Sequence, residues 1–440
     1  MPWSLEICHI GLLGTGDATL IVATFQDGDE EVLKRSSVLI DGGRSEATGM
    51  VEEVLAVYGI NDDAPLGAVA VTHYDADHFN GVRDLIRPPQ KRRRTDMYRD
   101  VRVYDRGRTQ NVTVPAQGTT SRSASIIANF RNPATKNESI IHPYSYMIKD
   151  NCERNLVTRD VLSSVNQLRI TTNARFPFDD PRVTNAGIRP PYWLIGQEIL
   201  WNGENLADFH PDHAPRLTCV SANTYYRTVN GGVDVVRSGG LSRERNENIN
   251  SLGFLLTFGN FRYFVGGDME SAQEDALLPY FRSLRNGNGP LLHAMKASHH
   301  GSNLSSSPNF LKTVKPNVVI FSCGQNNQFP HPEERVISSL HQYTPETKYY
   351  NTGENWRIDS EFGIPNISGV YPRNKDGSLI IDHQVNYHSH VKIFIEQPDN
   401  DTPPQEFSVN FYCPEAGPNL NHDANHDYVP ARLRADYFTI

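Results

Sequence analysis

A chain of 440 residues, 38% apolar and 10% aromatic, has enough apolar material to bury a sizeable core in one elaborated domain or two. No run approaches the ~20 apolar residues of a membrane span, and Met1-Pro2-Trp3-Ser4-Leu5-Glu6 lacks a basic region followed by an apolar one, so neither a span nor a signal peptide is expected. A net charge of −9 gives no global pull towards nucleic acid, and five scattered cysteines without a Cys-x-x-Cys pair indicate neither a disulfide framework nor a Cys-rich zinc site and suit a reducing cytoplasm.

The first elements read as strand, tight turn, strand: Leu5 to Gly11, Leu12 to Asp17, Ala18 to Phe25. The turn holds Gly14-Thr15-Gly16, but position 19 is threonine, so the dinucleotide-binding pattern fails. These glycines are read as permitting positive φ close to a site. Ser37 to Ile40 is a buried strand ending at Asp41-Gly42-Gly43. Met50, Val51, Val54, Leu55 and Tyr58 fall at helical spacing and predict a helix from Glu46 to Tyr58, with Gly59 as its stop.

The next strand, Val69-Ala70-Val71-Thr72, ends abruptly in His73-Tyr74-Asp75-Ala76-Asp77-His78. Two imidazoles and two carboxylates at the spacing His-x-Asp-x-Asp-His offer mixed nitrogen and oxygen ligation for two divalent ions. Two-metal sites of this kind drive phosphoryl and acyl hydrolysis.

Arg87 to Arg94 then breaks regular structure with two prolines and five basic residues, and reads first as a solvated loop. From there to about Asn248, Pro, Asn, Arg and Ser are frequent. The stretch is too long and too aromatic to be one loop, and is read as an insertion, a lid or substrate wall. Ordered structure is expected within it at Tyr192 to Ile195 and Glu198 to Trp201.

Gly253 to Phe258 and Arg262 to Val265 form a hairpin about Gly259-Asn260, ending at Gly266-Gly267-Asp268. Ser271 is expected to cap a helix through Leu284. A strand into Ser298-His299-His300-Gly301, a helix from Ser307 to Val314, the strand Val318 to Phe321 and a helix from Pro332 follow. Gly377 to Ile381, Val391 to Glu396 and Phe407 to Phe411 read as further strands, and the tail from Pro414 is polar.

Taken in order, Gly14-Thr15-Gly16-Asp17-Ala18, Asp41-Gly42-Gly43, His73 to His78, Gly267-Asp268, His299-His300-Gly301-Ser302 and His331-Pro332 resemble the motif series of the metallo-β-lactamase-fold hydrolases. Among these the chain is most similar to the soluble hydrolase domain of the ComEC-type DNA-uptake competence proteins. The resemblance implies an α/β fold, an αββα sandwich with a large insertion and a C-terminal extension. The expected division is 1–88 and 248–395 for the two parts of the hydrolase domain, 89–247 for the insertion and 396–440 for the extension.

The resemblance also implies the chemistry. His73 and Asp75 would serve one ion, Asp77 and His78 the other, and Asp268 would bridge them. His299, His300 and His331 supply the remaining positions, with their division left open. Asn248 and Asn250 stand where related folds carry a further histidine. The carboxylate at position 75 hardens the site, so Mn²⁺ is as credible as Zn²⁺. The expected reaction is two-metal hydroxide attack on a phosphodiester of DNA in the cytoplasm. Asp77 is taken as essential, His299 or His300 as the proton donor, and Lys296 as positive charge at the phosphate, unless it is a surface lysine. A protein partner supplying the DNA-binding surface would reconcile this with the acidic balance. The alternatives are hydrolysis of small phosphodiesters, such as a cyclic nucleotide or phosphorylcholine ester, and a non-catalytic subunit with a vestigial site. His9 is expected to be a satisfied core group. His383, His388, His390, His422 and His426 are expected at the surface.

Overall fold

The structure is a computed structural model and describes residues 2–12, 16–26, 32–73, 75–86, 101–105, 194–236 (without 202 and 212), 248–323 (without 286 and 288), 329, 331–352, 367–368, 390–399, 401–412 and 436–440. Alternation of apolar and polar residues explains the first strand. In β1 (Trp3–His9), Trp3, Leu5 and Ile7 enter the core on one face, and Glu6 pairs with Lys392 on the other at 2.6 Å. Beside it lie β2 (Thr19–Gln26), β3 (Val32–Ile40), β4 (Ala68–Val71) and β5 (Arg102–Asp105). On its other edge β15 (His390–Glu396), β16 (Glu406–Tyr412) and β17 (Asp436–Thr439) complete an eight-stranded sheet, order β17-β16-β15-β1-β2-β3-β4-β5.

The second sheet contains β6 (Arg216–Ala222), β7 (Tyr225–Arg227), β8 (Val233–Val235), β9 (Gly253–Phe258), β10 (Phe261–Val265), β11 (Ala294–Lys296), β12 (Val318–Phe321), β13 (Lys348–Asn351) and β14 (Ile367–Ser368). Its order is β14-β13-β12-β11-β10-β9-β6-β7-β8, with β10 to β14 parallel. Central strands of this sheet are covered on both faces, which is why β12 reads as an unbroken apolar run and β9 as one interrupted only at Thr257. Phe254, Leu256, Phe258 and Tyr263 meet Leu5, Ile7, Ile21 and Ile40 of the first sheet. Leu255, Phe264, Met295 and Val319 point the other way. They pack under helices α4 (Ser271–Ser283), α5 (Pro308–Val314) and α6 (Glu334–Tyr343). Each such fully buried side chain contributes about 1.5–3 kcal/mol. On the first sheet, α1 (Thr48–Val57) and α2 (Ala76–Ile86) form the outer layer, α2 in contact with β4. A short α3 (Leu206–Phe209) precedes β6. The result is the αββα sandwich that the resemblance implies.

Local readings differ in four places. α2 begins inside the His73 to His78 motif, because Phe79, Val82 and Leu85 recur at helical spacing behind the ligands and are buried. Glu270, not Ser271, is the N-cap of α4. Its side chain forms a reciprocal capping box with Gln273, while the Ser271 hydroxyl donates to Leu304 O at 2.8 Å. His390, expected at the surface, is buried, and its Nδ1 accepts from Gly11 N at 2.9 Å. Within the segment read as an insertion, β5 extends the first sheet and β6 pairs antiparallel with β9 in the second.

Tyr192-Trp193, the Arg87 to Arg94 run, Gly377 to Ile381, His383, His388, His422 and His426 lie outside the described residues. Among the described residues no helix is long and apolar enough to cross a membrane, and Cys8, Cys219 and Cys323 are buried free thiols.

Candidate metal centre

Five strand ends point the same way. β3 ends before Asp41, β4 before His73 and Asp75, β10 before Asp268, β11 at Lys296 and β12 before Ser322, whose carbonyl meets His300. The turn entering β2 brings Asp17 to the same edge, because Thr19 pairs with Ile40. Asp77 and His78 lie in the first turn of α2.

Backbone hydrogen bonds tie these loops together. Gly43 N donates to Asp17 O at 2.8 Å, Asp17 N to Asp77 O at 3.0 Å, and Gly42 N to His78 O at 2.9 Å. The approach leaves no room for side chains. A Cβ at Gly81 would stand 1.8 Å from Gly42 O, and one at Gly267, where φ is +56°, would stand 2.7 Å from the Thr72 side chain. Leu252 N donates to Thr72 O at 2.8 Å and joins the two sheets at the site.

The side chains converge on Asp268. His78 Nε2 lies 3.2 Å from its Oδ1, while His300 Nε2 at 3.6 Å, His73 Nε2 at 3.8 Å and His299 Nε2 at 3.8 Å face its Oδ2. Asp75 Oδ2 is 3.6 Å from His73 Nε2, and Asp77 Oδ2 is 3.8 Å from His300 Nε2. Two ligands of one ion, at bonds of about 2.0–2.2 Å, stand roughly 2.8–3.6 Å apart. The observed separations fall at or just above that range and are mostly too long for hydrogen bonds.

The buried Nε2 atoms of His73, His78 and His300 and Oδ1 of Asp268 have no hydrogen-bond partner. Buried polar atoms are otherwise nearly always paired, so this orphaned set fits divalent cations. Asp17, His78, Asp268 and His300 each offer a ligand atom within 4.8 Å of the others. Five carboxylates (Asp17, Asp41, Asp75, Asp77 and Asp268) gather around one ammonium, Lys296. Two divalent ions would balance that excess.

The ring nitrogens are set from behind. Asp41 Oδ2 accepts from His78 Nδ1 at 2.8 Å, and its carboxylate also accepts from Thr72 N and Oγ1, both at 2.7 Å. A carboxylate only accepts here, so the His78 Nδ1 carries hydrogen and its Nε2 faces Asp268. Burial works against charge on His78, yet Asp268, Asp41 and Asp17 raise its pKa well above the ordinary imidazole value. A divalent ion held by His78 would take the place of the proton on that Nε2. His300 Nδ1 donates to Ser322 O at 2.9 Å.

His299 and His300 both have left-handed backbones, φ 49° and 54°, at a cost of about 1–3 kcal/mol each. The two consecutive strained residues hold both rings towards one carboxylate. Burial lowers the pKa of His299, which remains 18% exposed at the rim. Burial, then His300 and His299, push the His331 pKa down to about 4. Its ring lies 5.6 Å from that of His299 and 6.2 Å from that of His300.

The expected ligands His73, Asp75, Asp77, His78, Asp268, His299 and His300 thus come together, with His331 beside the paired imidazoles. Lys296 does not present its charge at a surface. It is fully buried, ion-paired with Asp17, donating to Gly267 O at 3.0 Å and 3.6 Å from Asp268 Oδ1. Asp17 and Asp41 join the site although the motif reading assigns neither of them a role there. The signal was there, a carboxylate directly after a glycine turn or a strand end. His9 is satisfied as expected, 3.0 Å from Tyr263 Oη and 3.3 Å from Thr19 Oγ1.

No family model matches the chain. It is 26% identical over 117 residues to ComE operon protein 3 of Bacillus subtilis, covering 27% of this chain and 14% of that protein. It is 33% identical over 78 residues to competence protein ComA of Neisseria gonorrhoeae, covering 18% and 11%. With recombination protein 2 of Haemophilus influenzae it shares 30% identity over 99 residues, covering 22% and 12%. The chain therefore resembles competence proteins of this type, and each match spans well under a fifth of the relative's length.

Proposed function

We propose that the chain is a metal-dependent phosphodiester hydrolase acting on DNA. The observation that carries this reading is the buried set of unpartnered imidazole nitrogens and carboxylate oxygen around Asp268. Similarity to proteins named for competence and recombination supports nucleic acid as the phosphodiester.

His73, Asp75 and Asp268 would hold one ion, and Asp77, His78 and Asp268 the other, with His300 beside the second. Bound divalent ions, Zn²⁺ or Mn²⁺, would supply Lewis acidity towards the phosphate and lower the pKa of water. The chain's own groups do the rest. Asp41 and Ser322 O orient His78 and His300. His299 or His300, whichever does not hold metal, would pass a proton to the leaving oxygen, and the exposure of His299 at the rim favours it. A basic partner surface would bring DNA to an otherwise acidic chain.

The test is elemental analysis after reconstitution, together with cleavage of single-stranded DNA, duplex DNA, RNA and bis-p-nitrophenyl phosphate with Mn²⁺, Zn²⁺ or Mg²⁺. Two ions per chain and DNA cleavage are expected, and Asp77→Asn should abolish cleavage without lowering the melting temperature in EDTA. Cleavage that persists in EDTA would overturn the reading. Cleavage confined to the small ester would move the substrate to small phosphodiesters.

A further inference from the structure

A lysine with no exposed surface stands at the edge of this centre, and the reaction as described makes no use of it. We propose that Lys296 is a resident cation of the site, a positioning residue whose ammonium draws Asp17 and Asp268 together before any ion binds and withholds Asp17 from metal.

The geometry carries this. Lys296 ends β11 in the second sheet, and its Nζ meets oxygens from both halves of the molecule. Asp17, ion-paired with it, comes from the turn entering β2 of the first sheet. Gly267 O, at 3.0 Å, and Asp268 Oδ1, at 3.6 Å, come from the end of β10. The ammonium therefore bridges the sheets at the point where the ligands converge. Asp17 has an oxygen within 4.8 Å of donor atoms on His78, Asp268 and His300, so its position alone would make it a ligand. What separates it from the other carboxylates is direct ion pairing with the ammonium, which stands 3.6 Å from Asp268. Removing that charge would leave buried carboxylates crowded together with no fixed counter-ion, a costly arrangement in a low-dielectric interior.

The inference rests on the metal-centre reading only for its metal arm. The experiment uses the full chain and thermal melts of wild type, Lys296→Met and the double variant Lys296→Met/Asp17→Asn, each in EDTA and with saturating Mn²⁺. In EDTA the single variant should melt roughly 3–5 °C below wild type. The double variant, which removes charge from both partners, should recover most of that loss. Mn²⁺ should raise the melting temperature of the single variant more than that of wild type, because the freed Asp17 carboxylate then takes a cation. Loss of lysine packing alone would not be repaired by Asp17→Asn. If the single variant does not fold, folding of the double variant supports the proposal. A double variant as unstable as the single, or a single variant within about 1 °C of wild type in EDTA, would overturn it. A wild type that binds no metal would defeat the hydrolase reading, and rescue by Asp17→Asn would still decide the role of Lys296.

Discussion

Replacing Asp41 by asparagine removes a charge from behind the centre while keeping side-chain size and backbone. Asp41 has φ 59°, a conformation that asparagine tolerates and alanine does not, so Asp41→Asn isolates the electrostatic contribution. The carboxylate accepts three hydrogen bonds, from Thr72 N and Oγ1 at 2.7 Å and from His78 Nδ1 at 2.8 Å. Thr72 N donates to Oδ1, and Thr72 Oγ1 and His78 Nδ1 to Oδ2, so the NH₂ of an amide must face either the Thr72 N–H or the hydroxyl and imidazole donors together. A buried donor left without an acceptor costs about 1–3 kcal/mol. Relief of crowding among the carboxylates works in the opposite direction, so the melting temperature in EDTA should change little. Metal affinity is the decisive quantity. Losing the group that orients a ligating histidine typically costs 10–100-fold, about 1.4–2.8 kcal/mol. The assay is competition for Zn²⁺ or Mn²⁺ against a chromophoric chelator, at a pH where the chelator's own affinity is known. An affinity within about threefold of wild type would refute the claim that Asp41 fixes His78 for metal.

Two further outcomes are expected. Gly81→Ala places a Cβ 1.8 Å from Gly42 O and must push α2 off the Asp41 loop. It should cost about 1–3 kcal/mol or more in urea melts and reduce bound metal; wild-type values for both would show that the loop yields freely. Glu274 lies buried under the His299–His300 turn, where Ser306 N donates to it at 2.6 Å, and burial pushes its pKa up from 4.5 to about 7. A carboxyl raised in the folded state contributes stability below pH 4.5 and loses it as pH rises through about 7. Wild type should therefore lose up to about 3 kcal/mol from this group between pH 4.5 and 8. Urea melts of Glu274→Gln should lack that decline, and equal slopes in the two proteins would exclude it.

Most of what was readable along the chain was local. The apolar run Val69 to Val71 and the His73 to His78 spacing lie within a dozen residues, and a strand's period and a motif's spacing survive without knowledge of the rest of the fold. For the same reason α1, β9, β10 and β12 stand close to where periodicity puts them. The ordered motifs, taken with the family they resemble, also carried the two-sheet architecture.

Tertiary structure decided what each polar group does. Lys296 reads as a surface lysine or a phosphate contact until Asp17, 279 positions earlier, is folded onto it. His390 reads as a surface histidine until Gly11 N, 379 positions away, donates to it. Asp17 and Asp41 look like turn residues in the sequence, and only the pairing of β2 with β3 and the entry of α2 carry them to His78. The strands Arg102–Asp105 and Arg216–Ala222 lie in the stretch read as an insertion, where neither stands out by local periodicity and a partner strand supplies the hydrogen bonds that make each of them a sheet member. A side chain's protonation, burial and ligand character depend on the charges within a few ångströms of it, and chain separation does not encode those distances.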